Sequence, residues 1–110
     1  MVEHQVVIGV FNSAAPAREA VEALRQAGFA GTQIGLVTGH GGVPAVTGLL
    51  EGLGVGAEDA GRFAGAVPSD GALVALRTAE GTDEARHVLQ RAGAASVDAA
   101  SSVGAVSDLA

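Results

Sequence analysis

Glu19-Ala20-Val21-Glu22-Ala23-Leu24-Arg25-Gln26-Ala27-Gly28 and Glu84-Ala85-Arg86-His87-Val88-Leu89-Gln90-Arg91-Ala92-Gly93 decide the fold. Set side by side at a fixed offset of 65 residues, they share Glu, Ala, Leu, Ala and Gly at five of ten positions. In the first copy Ala17, Val21, Leu24 and Ala27/Gly28 recur at helical spacing, while Arg18, Glu19, Glu22, Arg25 and Gln26 take the opposite side. In the second, Ala85, Val88, Leu89 and Ala92 form the apolar stripe, and Asp83-Glu84 put acids in the first turn after Thr82. Each copy closes on a glycine, Gly28 or Gly93, suited to a left-handed C-terminal cap, with Phe29 placed to pack back on the first helix.

The flanking residues repeat as well. Gln5-Val6-Val7-Ile8-Gly9-Val10-Phe11 is a β-branched apolar run whose length reads as a buried strand. Asn12 or Ser13 can cap the helix over Ala14–Ala27, with Pro16 tolerated in its first turn. Thr32–Val37 reads as a second strand, Ala72–Arg77 as a third and Ala95–Asp98 as a short last one. Strand–helix–strand twice over is the duplicated βαβ of a ferredoxin-like α+β sandwich. The expected sheet is four-stranded and antiparallel, ordered 4-1-3-2, with helices on one face and the other face or an edge left open. Residues 1–98 form one such domain, with residues 38–69 inserted between its halves and residues 99–110 a flexible tail.

Within the insertion, Thr38-Gly39-His40-Gly41-Gly42-Val43-Pro44 is a loop by composition. Val46–Leu53 makes a short helix weakened by glycine. Gly56-Ala57-Glu58-Asp59 opens a second, with Ala60, Phe63, Ala64 and Val67 on one side, and Pro68-Ser69-Asp70-Gly71 ends it.

Composition narrows the chemistry. The 110 residues are 48% hydrophobic and 16% charged, so a disordered chain is excluded. The absence of Cys removes disulfides, thiolate nucleophiles and cysteine-ligated metals. The basic residues are six scattered Arg against twelve acids, for a net charge of −6. With three Phe and no Trp or Tyr, neither the cationic stripe nor the stacking surface of a nucleic-acid binder is present. No residue from Gln26 to Leu50 is charged, but seven Gly, Pro44 and His40 interrupt the stretch, which argues for a strand and loop over a membrane span. Met1–Gln5 has no cationic n-region, so the expected location is cytoplasmic.

Val7-Ile8-Gly9-Val10-Phe11, Ala20-Val21-Glu22-Ala23-Leu24 and Ala27-Gly28-Phe29 resemble the opening of the bacterial heat-induced stress protein (YflT-like, general stress protein) domain. Leu53–Ala60 and Asp70–Arg77 are similar to that family's middle helix start and its Gly-Gly-x-Leu-Val strand. The resemblance covers roughly residues 5 to 98, and the middle helix departs from it in carrying one aromatic, Phe63. It implies a soluble, stress-associated domain with no established enzymatic activity, no agreed ligand and no catalytic residue to carry over.

Candidate sites are few. Gly39, His40, Gly41 and Gly42 could turn backbone N–H groups onto an anion, but they form neither phosphate-binding glycine motif and no Lys accompanies them. A flexible connector is therefore the preferred reading of this stretch, with a ligand loop as the alternative. His4, His40 and His87 share no ligand spacing, and Asp83 with His87 is a solvated helix pair. Glu58-Asp59 and Asp83-Glu84 are first-turn acids rather than a catalytic dyad. Ala57, Gly61 and Gly65 recur every four residues, a small stripe that predicts close packing inside the domain or against a partner. No catalytic residue, metal site or cofactor is expected. A non-enzymatic interaction domain, forming a homodimer or higher homo-oligomer or binding another protein, is the leading expectation. A sensor of an anionic metabolite or nucleotide, built on Gly39–Gly42, is the alternative.

Overall fold

A computed structural model of the chain describes residues 5–101. In chain order it contains β1 (Gln5–Phe11), α1 (Ala14–Gln26), β2 (Ile34–Thr38), α2 (Gly42–Gly52), α3 (Ala57–Ala66), β3 (Ala72–Thr78), α4 (Thr82–Arg91) and β4 (Ser96–Ser101). Short 3-10 turns at Gly31–Gln33 and Gly39–Gly41 precede β2 and α2. The strands form one antiparallel sheet in the order β2-β3-β1-β4, the arrangement that a duplicated βαβ dictates. Ile8 lies opposite Ala75 on one side and Asp98 on the other, and Leu36 lies opposite Val74.

Alternation along the strands sorts the core into two layers. Val7, Phe11, Ala72, Val74 and Leu76 meet Ala17, Ala20 and Leu24 of α1 and Ala85 and Leu89 of α4. Val6, Ile8, Val10, Leu73 and Ala75 point the other way and meet Val46 and Leu50 of α2, then Ala60, Phe63 and Ala64 of α3. The inserted helices therefore cover the second face of the sheet, and the expectation of helices on one face alone is corrected. The physical reason lies in β1 and β3, which bury every apolar side chain they carry on both sides. At about 1.5–3 kcal/mol for each buried Val, Leu, Ile or Phe, leaving bare a face that bears Val6, Ile8, Val10 and Leu73 would forfeit roughly 6–12 kcal/mol.

The repeat in the sequence is also a repeat in three dimensions. At the end of α1, Phe29 N–H bonds to the Leu24 carbonyl and Gly28 N–H to that of Arg25, both at 3.1 Å. At the end of α4, Ala94 N–H bonds to Leu89 and Gly93 N–H to Gln90, again both at 3.1 Å. These are Schellman closures, and they need the positive φ found at Gly28 (106°) and Gly93 (103°). Gly54, Val55 and Leu50 close α2 in the same way and return Val55 to the core. The helix starts are less specified: Ser13 occupies the cap position of α1 without a side-chain cap hydrogen bond.

Two further expectations change. The stretch Thr38–Pro44 is not an open loop: Gly39–Gly41 is a 3-10 turn and α2 already begins at Gly42. Proline is tolerated in a first helical turn, so Pro44 does not delay that start. The last strand reaches Ser101, because Ala99, Ala100 and Ser101 pair with Val7, Val6 and Gln5, so residues 99–101 belong to the sheet and not to a flexible tail. Residues 102–110 lie outside the described residues. Among the described residues, no helix is long and apolar enough to cross a membrane.

Glycines in and beside the helices separate into two kinds. Gly39 sits where an added Cβ would run into the Pro68 carbonyl, so this backbone contact requires glycine. Gly61 and Gly65 have nothing within 4 Å of an added Cβ, and with Ala57 they face outward. The small stripe on α3 thus makes no packing contact inside the domain. Gly39→Ala is predicted to lose about 1–3 kcal/mol from the forced contact, whereas Gly61→Ala and Gly65→Ala each gain about 0.5–1 kcal/mol of helix propensity. Urea unfolding with an unchanged m-value reads both effects, and a neutral Gly39→Ala contradicts this assignment.

Candidate functional site

The glycine-rich segment donates two of its N–H groups within the chain. Gly39 N–H bonds to the Gly71 carbonyl at 2.9 Å, and Gly42 N–H closes the 3-10 turn on the Gly39 carbonyl. Gly42 has φ 76°, the left-handed kink that turns the chain from β2 into α2. His40 is exposed beside it. These residues act as a structural corner, and neither the Gly39 nor the Gly42 amide remains for a ligand.

The other predicted candidates stay apart. His87 and Asp83 are both exposed on α4, and His4 lies outside the described residues. Asp59 pairs with Arg62 at 3.3 Å and Glu22 with Arg25 at 3.5 Å, each within one helix and well exposed, where such pairs contribute little. Among the described residues no three His, Cys, Asp or Glu side chains come together in a metal-holding group. A shallow groove of about 530 Å³ runs between α1 and α4, with Ala23 and Val88 between the exposed side chains of Glu19, Glu84 and Arg91.

The feature with directional chemistry is the outer edge of β2. The bond from Gly39 N–H to the Gly71 carbonyl continues the β2–β3 register by one step. Hydrogen-bonding direction alternates along an antiparallel strand. Gly35 and Val37 therefore bond inward to β3, while Ile34, Leu36 and Thr38 direct their N–H and carbonyl groups away from the sheet. Ile34 N–H turns back onto the Gly31 carbonyl, which leaves the Leu36 and Thr38 N–H groups and the Ile34 and Leu36 carbonyls on the open edge. The side chain of Leu36 is 37% exposed, and Val43 beyond the corner is 52% exposed. No charged side chain interrupts the strand.

The opposite edge differs. β4 carries exposed Asp98 near its middle, and an exposed charge on an edge strand discourages further pairing. This asymmetry was readable from the sequence, because Asp98 and the uncharged run Ile34–Thr38 are both visible there once the strand order is known. Comparison with known proteins found no matching family model, no matching curated protein and no matching solved structure.

The alternation in β2 has a direct test. Leu36→Pro removes an outward N–H and is predicted to cost about 1 kcal/mol or less, while Val37→Pro breaks a rung to β3 and costs about 3 kcal/mol or more. Thermal and urea unfolding of the two monomeric variants compare them, and equal losses contradict the assigned directions.

Proposed function

We propose that this domain is a non-enzymatic association module whose working surface is the β2 edge. The observation that carries the proposal is an uncharged strand offering unpaired backbone groups and exposed Leu36 in a sheet already covered on both faces. Unpaired edge groups are a template for another strand, and proteins that do not use an edge block it with charge, proline or a covering segment. Association by strand addition supplies affinity through main-chain hydrogen bonds and selectivity through alternate side chains. The resemblance to heat-induced stress proteins supports a setting in the stress response for this association.

The proposal is tested by sedimentation over about 1–200 μM, where mass-action linkage makes weak association visible. The mean mass of the native chain is expected to rise above 10.7 kDa with concentration. Leu36→Lys, which adds an edge charge at an exposed position, is expected to stay monomeric, with stability within about 0.5 kcal/mol of the native chain. A native chain that remains at monomer mass across the range overturns the proposal.

A further inference from the structure

We infer that β2 pairs with β2 of a second copy of this chain, antiparallel about a two-fold axis at Leu36, to make one continuous sheet. The inference rests on the association reading above and specifies its partner and register. Charge selects the edge that two copies can share. Each chain carries −6, so two copies repel wherever acids face each other, and the stretch from Gln26 to Leu50 holds no charge. β2 lies wholly within that stretch, whereas self-pairing through β4 would bring Asp98 of each copy to the same junction.

Hydrogen bonding selects the register. The outward residues are Ile34, Leu36 and Thr38, and a two-fold axis at Leu36 sets Leu36 opposite Leu36 and Ile34 opposite Thr38. Leu36 N–H then donates to the Leu36 carbonyl of the second copy, and Thr38 N–H to the Ile34 carbonyl of the second copy, with each bond repeated by symmetry. The Ile34 N–H, already bonded to Gly31, is the donor this arrangement does not need. An axis moved to Gly35 or Val37 leaves Thr38 or Ile34 facing a 3-10 turn instead of a strand. In the Leu36 register the two Leu36 side chains lie together on the α1/α4 side, and on the other side Val37 of the second copy stands beside Leu49, which packs over Gly35.

The chain has no cysteine, so single-cysteine cross-linking reads the register without interference. Directly paired antiparallel residues have Cα atoms about 4.5–5.5 Å apart, within the roughly 4.4–6.8 Å that a disulfide spans. The experiment follows disulfide formation under mild oxidation in full-length Leu36→Cys, with exposed-site controls Val43→Cys and Ser69→Cys, and runs sedimentation on each reduced variant. Leu36→Cys is expected to form a disulfide dimer about tenfold or more faster than either control, because pairing holds its two thiols together. If reduced Leu36→Cys assembles but cross-links no faster than the controls, the register is overturned and the association reading stands. If the native chain and all variants stay monomeric, both fall.

Discussion

The antiparallel pairing of β1 with β3 is the constraint on which everything else in this molecule depends. The two strands run side by side from Gln5 opposite Thr78 to Phe11 opposite Ala72, and their apolar side chains are buried whichever way they point. Val7, Phe11, Val74 and Leu76 require α1 and α4 above them, while Val6, Ile8, Val10 and Leu73 require an equal cover below. Because the central pair cannot be half-exposed, the inserted segment has to fold as α2 and α3. The same requirement makes the corner between β2 and α2 tight, with Gly39 against Pro68 and bonded to Gly71.

Covering both faces of the sheet leaves its edges as the places where a further strand could add. The helices satisfy the apolar side chains, but they do nothing for the outward backbone groups of the terminal strands. On β4 the sequence places Asp98 at that border, and on β2 it places Gly35, Leu36 and Val37. Local chemistry therefore makes two geometrically similar borders unequal. The small stripe on α3 is a separate matter: its outward position leaves Gly61 and Gly65 without a packing role within the domain, at the usual propensity cost of about 1 kcal/mol each.

The architecture was legible because its signals are local. The five identities between Glu19–Gly28 and Glu84–Gly93 mark equivalent helices, and the glycines that end them adopt the positive φ their position implies. The location of α2 and α3 was not, since the periodicity of Ala60, Phe63, Ala64 and Val67 defines a buried side without saying what it is buried against. One cue lay in the first strand. An unbroken apolar run from Val6 to Phe11 does not alternate, and a sheet with one open face calls for alternation. Composition misled at Thr38–Pro44, where glycine content read as a loop although the tight backbone contact at Gly39 needs glycine. It also shortened β4, because Ala99, Ala100 and Ser101 have weak strand propensity and are held by their partners on β1. For the candidate site, the charge contrast between the edges was visible in the residues, but the outward direction of Leu36 and Thr38 follows from a single backbone hydrogen bond that no sequence pattern encodes.

Residue-resolved amide exchange, at a concentration low enough to keep copies apart, bears most directly on a sheet covered on both faces and open at β2. The account predicts slowest exchange in β1 and β3, with protection alternating along β2: slow at Gly35, Val37 and Gly39, fast at Leu36 and Thr38. Uniform protection across those five amides, or uniformly fast exchange, would contradict it.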